Sequence, residues 1–226
     1  MLPESIYAIT AQDPLPFIVD LVTNDVDLQK ATTIRAEAYG RKLPEMAAKL
    51  RFPDELDREP GVSVFLATSK VDGQPLGTLR VQSNLHRRLL IEQAVELPAA
   101  LKAQHIAELT RLAVTHEKVG RLVKLALLKA SYEYCLEHRI DALVIGARRP
   151  IDRQYRDLLF TDVHPGMGPV PLAYANNIPH HILSLDIGTA YARFQEVNHR
   201  ALSFMTLPHP DICARFQLKP DLAMAA

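Results

Sequence analysis

The period of the hydrophobic positions changes from segment to segment, and each change marks an element. Residues 17–22, Phe-Ile-Val-Asp-Leu-Val, form a short apolar run that predicts a strand. Asp25 or Asp27 is then placed to cap a helix to about Tyr39, in which Leu28, Ala31, Ile34, Arg35 and Ala38 recur at helical spacing. Residues 62–71 and 76–81 are strand-like and flank Asp72-Gly73-Gln74-Pro75, which predicts a hairpin with a four-residue loop. Residues 89–104 read as helical, with Pro98 setting a break or a new first turn.

The middle of the chain is more regular. Residues 108–115 are β-like, 120–138 form a long and largely apolar helix, and 142–147 a buried strand. A strand, helix and strand of this size predict a βαβ unit with parallel strands and a right-handed crossover. Asp152 is expected to cap a short helix through Leu159. Residues 171–175 and 181–187 read as two closing strands, and 190–203 as a last helix. Together these predict one mixed α/β domain over residues 1–226, with its core at about 15–204. The extension 205–226, with Pro208, Pro210 and Pro220, reads as a tail either packed on the domain or frayed.

Composition narrows the class without reaching the chemistry. The 226 residues are 48% hydrophobic and carry 26 Lys+Arg against 26 Asp+Glu, so they fit a globular core and not a disordered chain. Zero net charge removes the simplest case for a nucleic-acid binder or a polybasic membrane protein. No run of about eighteen apolar residues predicts a membrane span, and the first residues lack a signal-peptide pattern. Cys135 and Cys213 cannot build a disulfide framework, and the scattered His86, His105, His116, His164, His180 and His181 lack metal-ligand spacing. The expectation is a cytoplasmic protein with no metal and an inert buried thiol at Cys135.

Glu108-Leu-Thr-Arg111-Leu-Ala-Val114 is the most specific run in the chain. Ile34-Arg35 with Tyr39 one turn on, Asp54-Glu-Leu-Asp57 before residue 62, and Gly77-Thr-Leu-Arg80 accompany it. In that order of elements these residues resemble the GNAT acyltransferase fold. Within it they resemble the autoinducer synthases and their relatives, the long-chain N-acyl amino acid synthases of FeeM type. The likeness spans roughly residues 15–190 at residue level. The autoinducer synthases carry a tryptophan about ten residues after the first arginine, where Glu45 falls here, and this chain has no Trp. Tyr155-Arg-Asp-Leu-Leu-Phe160, Pro171-Leu-Ala-Tyr-Ala175 and His180-His-Ile-Leu-Ser-Leu-Asp186 are closer to the N-acyl amino acid synthases.

The resemblance implies transfer of a fatty acyl group to the amine of an amino acid. Such a reaction needs a base, oxyanion donors and an acid for the leaving thiolate. Glu108 is the implied base, although a carboxylate starting a strand can equally pair with an arginine. Glu108 and Arg111 are three apart and would lie on opposite faces of a regular strand. Bringing both to one cleft requires a β-bulge, which the fold implies and which is expected at about Leu112–Val114. Arg35, Arg80 and Arg111 can share Asp54, Asp57 and Glu108, and an arginine of this set can take the acceptor's carboxylate bidentately. The alternative for Asp54 and Asp57 is an ordinary solvated acidic pair.

The resemblance makes Tyr155 the implied acid for the thiolate, against a half-buried packing role. A GNAT pyrophosphate loop is matched at Glu117-Lys-Val-Gly120-Arg121-Leu122 by its central glycine alone, with a carboxylate in its first position. The expected donor is therefore the acyl-phosphopantetheine of an acyl carrier protein, with acyl-CoA as the alternative and no tightly bound cofactor. Leu122, Leu125, Leu128, Tyr132 and Leu136 form an apolar stripe that is either core or the wall of an acyl tunnel. Competing readings are an acetyl-CoA-dependent N-acetyltransferase, an acyl-homoserine lactone synthase and a non-catalytic module that binds acyl groups or a carrier protein.

The neutral total also hides a gradient. Residues 1–75 hold 8 basic and 12 acidic side chains, whereas residues 118–156 hold 9 basic and 4 acidic. Arg148, Arg149, Arg153 and Arg156 crowd the end of the second stretch. They predict either a solvated face or a patch that docks an acidic carrier protein.

Overall fold

In the computed structural model, which describes residues 9–213, the chain builds a twisted mixed sheet in the order β1-β2-β3-β4-β5-β8-β6, with β7 also paired to β8. The strands are β1 (Phe17–Leu21), β2 (Val62–Ser69), β3 (Pro75–Ser83), β4 (Ile106–Val114), β5 (Ala142–Ala147), β6 (Thr161–Asp162), β7 (Val170–Leu172) and β8 (Ile178–Asp186). The helices are α1 (Asp25–Gly40), α2 (Pro44–Leu50), α3 (Ala99–Lys102), α4 (Gly120–Glu137), α5 (Asp152–Arg156), α6 (Ile187–Glu196) and α7 (Leu202–Thr206). β1 to β4 pair antiparallel, β4 and β5 pair parallel through the α4 crossover, and β8 pairs antiparallel with β5. The expected hairpin and βαβ unit are both present.

The two faces of the sheet differ in chemistry. Phe65, Leu79, Leu109, Ile145 and Leu183 point to one side and join the buried residues of α4, α6 and α7 in the main core. On the other side, Val64 and Leu66 pack on Leu28 and Ala31 of α1. Register places Val64, Arg80 and Thr110 side by side on that second face, with Gln82, Glu108 and Val144 in the next row. The polar residues of these strands therefore share the second face of the sheet.

Several elements differ from their sequence pattern. Helix α1 is capped by Asn24, whose side chain accepts from the Asp27 N–H at 2.9 Å, and Asp25 and Asp27 sit in the first turn beside the positive end of the helix dipole. Residues 89–104 are not one helix. They form a 3-10 turn at Leu90–Gln93, an extended stretch and the short α3. The buried positions Leu89, Ile91, Val95 and Leu97 flank the exposed Gln93, a spacing that does not make the continuous helical face expected of them. The expected last helix divides into α6, capped by Asp186, and α7, with Asn198 in the left-handed region between them. Asp152 is the first residue of α5 and not its cap, and the helix ends at Arg156, followed by turns that reach the left-handed Leu159 at a φ of 65°. Residues 173–175 leave the expected strand as a 3-10 turn, which Asn176 and Asn177, both at a φ of 55°, close into the β7–β8 hairpin.

The extension packs on the domain as far as Cys213. Val19 of β1 donates to the Asp211 carbonyl and accepts from the Cys213 N–H, both at 2.8 Å. The buried Lys129 of α4 holds Glu133 and the Leu207 carbonyl with its ammonium. The remainder of the expected tail, residues 214–226, lies outside the described residues. The stripe on α4 is core at Leu122, Leu125, Leu128 and Tyr132, while Leu136 near its C-terminal end is exposed. The cavity beside Leu128 and Tyr132 has about 20 Å³, room for a water and not for an acyl chain.

Candidate active site

The site is built on an irregularity in β4. Thr78 pairs with Ala113 and Arg80 with Thr110, so Leu79 faces the two residues Arg111 and Leu112. This is a β-bulge, one residue earlier than the expected 112–114, and Arg111 adopts a φ of 56° within it. The bulge changes the phase of the strand. Ala107 and Leu109 face α4 before it, Leu112 and Val114 face α4 after it, and Glu108, Thr110 and Arg111 all look to the second face. Pairing between β4 and β5 stops at Leu109 and Ile145, so beyond that point the strands open and the edge of β4 has no strand partner.

Five expected residues meet in one ion-pair network on this face. Arg35 of α1 holds both oxygens of Asp57 through Nη1 at 2.9 and 2.7 Å, and both side chains are buried. Arg80 holds both oxygens of Asp54 at 2.7 and 2.9 Å, reaches Asp57 at 3.3 Å and donates from Nε to Thr110 at 3.0 Å. Arg111 lies 3.5 Å from Asp54. Asp54 and Asp57 cap each other across a 3-10 turn at Glu55–Arg58, which fixes the pair that the sequence left as a solvated alternative. Burial pushes the Asp54 carboxyl up, but Arg80 and Arg111 outweigh it and hold the group below the usual carboxylate range.

The network holds more donors than acceptors. Nε and Nη2 of Arg35, Nη2 of Arg80 and Nε of Arg111 are buried with no acceptor among the described residues. Burial and the nearby Arg80 depress the Arg111 guanidinium from its ordinary value. Buried cationic donors without acceptors are costly.

Glu108 stands outside this network, contrary to the shared set expected from sequence. It is fully buried, its Oε2 accepts the Ile91 N–H at 3.0 Å, and its Oε1 accepts the Tyr174 hydroxyl at 2.7 Å. Burial raises its carboxyl to about 7, against the lowering effects of Tyr174, the Ile91 N–H and Arg80. Tyr174 is the site residue that sequence reading passed over. It belongs to the Pro171–Ala175 segment, and the only local signal was the Asn176-Asn177 pair, a turn mark just after an aromatic residue. Its backbone carbonyl accepts from Arg111 at 3.4 Å, so the hairpin touches both Glu108 and the bulge.

The other expected residues surround the opening. Tyr39, near the end of α1, donates to the Leu112 carbonyl at 3.5 Å, and Arg41 donates to that of Val114 at 3.1 Å. Tyr155 of α5 is buried edge-on to Phe160, and its hydroxyl has no hydrogen-bond partner among the described residues. Burial, helped by Tyr39, pushes the phenol up and keeps it protonated. Gly120 opens α4 so close to the Thr115 carbonyl that a Cβ would sit 2.3 Å from it. Arg121 and Arg149 are exposed and Arg148 is half-buried, and no hydrogen bond or ion pair joins the three to the network among the described residues. Arg156 does not add to a free basic patch, since Asp162 takes its guanidinium at 2.6 and 2.9 Å. A groove of about 1090 Å³ lies on the β1–β3 side between α1, the β2–β3 turn and the β4–α4 loop; Ile34 and Glu117 line it, whereas Arg35, Arg80, Glu108, Arg111 and Tyr155 do not. Among the described residues no helix is long and apolar enough to cross a membrane, and no three His, Cys, Asp or Glu side chains are grouped to hold a metal ion.

Comparison with known proteins agrees with this architecture. The structure is similar to FeeM, an N-acyl amino acid synthase from uncultured soil microbes, with 18% identity and a TM-score of 0.60 over 78% of this chain and 93% of that one. It is similar to BjaI, a CoA-dependent acyl-homoserine lactone synthase, with 15% identity and a TM-score of 0.57 over 90% of this chain and all of the other. An acetyltransferase candidate of the GNAT family from Desulfovibrio desulfuricans matches at 16% identity and a TM-score of 0.53, over 76% and 99% of the two chains. No curated protein sequence matches the chain. The family model for the N-acyl amino acid synthase FeeM matches residues 30–184, from α1 into β8, and so covers the whole ion-pair network, the bulge and Tyr174. The chain belongs to the FeeM family of N-acyl amino acid synthases and is an N-acyltransferase of the GNAT fold.

Proposed function

We propose that this enzyme transfers a fatty acyl group from the phosphopantetheine of an acyl carrier protein to the α-amine of an amino acid. The observation that carries the reading is the pairing, at the opening of β4 from β5, of a near-neutral buried carboxylate with unmatched guanidinium donors. The donors suit the carboxylate of an amino acid, and Arg111, the most accessible of the three arginines, is the one to receive it. Glu108 takes the proton that the ammonium must lose before its nitrogen can attack the thioester carbon. The free edge of β4 at Leu112 and Val114 offers N–H groups to the developing oxyanion. When the C–S bond breaks, the thiolate takes the proton of Tyr155.

The donor is the finer part of this reading. Glu117 stands where a GNAT loop would meet the CoA pyrophosphate, and it is exposed there. Arg121, Arg148 and Arg149 lie at the C-terminal ends of the parallel strands, the side where a carrier protein's prosthetic group enters. The test is to express the chain in a bacterium and search lipid extracts for N-acyl amino acids by mass spectrometry, then compare acyl carrier protein and acyl-CoA donors in vitro. Acylated amino acids formed faster from the carrier donor support the reading. Acetylated amines from acetyl-CoA alone overturn it, and faster turnover with long-chain acyl-CoA replaces the carrier as donor.

A further inference from the structure

Glu108 cannot touch an acceptor directly. Its side chain has no exposure, one oxygen is held by the Ile91 N–H, and the other is covered by the Tyr174 hydroxyl. Tyr174 is itself half-buried, so of the pair it is the residue that keeps some exposure. Three features hold it there. Gly146 of β5 leaves the space, since a Cβ at that position would stand 2.5 Å from Leu172 Cδ1 and 3.3 Å from the Tyr174 hydroxyl oxygen. Arg111 fixes the Tyr174 carbonyl, and the left-handed Asn176 and Asn177 set the turn. The charged and titratable groups facing the pair are Arg80 from β3, Arg111 from β4 and Tyr39 from α1.

We propose that Tyr174 is a catalytic residue that relays the acceptor's proton to Glu108. Its oxygen takes a proton from the acceptor ammonium while its own proton passes to Glu108 Oε1. The amine is left neutral with its lone pair free, Glu108 becomes a carboxylic acid, and the phenol is neutral before and after. Burial and the adjacent Glu108 hold the phenol well above its ordinary value, so a free phenolate is disfavoured and the two transfers are concerted. The relay also explains how a base can be kept out of water, at a near-neutral proton affinity, and still serve the cleft.

The relay rests on the acyltransferase reading with Glu108 as base, and the experiment separates the two. Single-turnover rates are measured with acyl carrier donor for the wild type, Tyr174→Phe and Glu108→Gln, with the wild type repeated in H2O/D2O mixtures. Tyr174→Phe should lower the rate on the order of 100-fold or more, leave the acceptor KM within about twofold, and move the limb assigned to Glu108 to higher pH, because the carboxylate loses a hydrogen-bond donor. The wild-type proton inventory should be bowed, as two moving protons require, and this holds even if the Phe variant fails to fold. A linear inventory overturns the relay, as does a Phe variant with wild-type rate and an unmoved limb. Full activity of Glu108→Gln overturns the base assignment itself.

Discussion

Arg35 meets Asp57 through one guanidinium nitrogen, 2.9 and 2.7 Å from the two carboxylate oxygens, with neither side chain open to water. Asp57 also receives Arg80 and the Asp54 N–H, so it is the shared anion of two buried cations. Removing its charge leaves Arg35 without a carboxylate and Arg80 with Asp54 alone. Asp57→Asn should lower the unfolding free energy by about 3–5 kcal/mol, read as a shift in urea midpoint at constant m. Asp54 is 39% exposed in its side chain, so Asp54→Asn should cost less. The reverse order of the two variants would show that the network does not hold the fold together in this way.

Glu108 gives the enzyme two opposite pH dependences. The folded-state value of about 7 lies above the ordinary 4.5. Below pH 4.5 both folded and unfolded states carry the proton, and the stability from the neutral form is complete. Between 4.5 and 7 only the unfolded chain releases it, so stability falls as pH rises, by about 3 kcal/mol in all. Turnover should run the other way and rise through pH 7, because the base must be ionised. Glu108→Gln should flatten the stability slope in this window and abolish turnover. A variant that loses turnover while retaining the slope would assign the titration to another group.

The first hairpin, the βαβ unit and the arginine–aspartate partners were legible because each rests on a local period or a short motif. The bulge was legible from the three-residue spacing of Glu108 and Arg111, which a regular strand cannot place on one face. Its position moved by one residue because Leu109 and Leu112 both pack on the α4 side, which puts the change of phase between them. Glu108 was joined to the arginines on charge alone. In the fold its acceptors are filled by a backbone N–H from residues 89–97 and by a hairpin 66 residues away in sequence, and no spacing carries that information. Tyr174 was missed for the same reason.

Carrier-protein docking makes a salt prediction. Arg121, Arg149 and Arg153 are exposed and Arg148 half-buried, whereas Arg156 is committed to Asp162. If an acidic carrier docks here, raising ionic strength should increase KM for the carrier-bound donor and hardly affect a small thioester. Arg148→Ala/Arg149→Ala should reproduce the high-salt behaviour at low salt, whereas Arg156→Ala should act mainly on stability. Equal salt sensitivity for both donors would remove the docking patch.

Gly146 tests the link between the hairpin and the buried base from the neighbouring strand β5, without changing Tyr174 or Glu108. A methyl group there meets Leu172 Cδ1 at 2.5 Å and the Tyr174 hydroxyl oxygen at 3.3 Å. The leucine can turn its far end aside, so Gly146→Ala should cost about 1 kcal/mol of stability, the low end for overpacking. The phenol has less freedom, because its 2.7 Å bond to Glu108 and the Arg111 bond to its carbonyl fix both ends of the residue. A shift of a few tenths of an ångström should therefore weaken that bond, slow turnover about tenfold and raise the pH at which turnover appears. Adding Leu172→Ala should relieve the closer contact and return part of the rate while lowering stability further, since Leu172 is buried. A Gly146→Ala enzyme with wild-type rate and pH profile would show that the hairpin's approach to β5 has no bearing on the base.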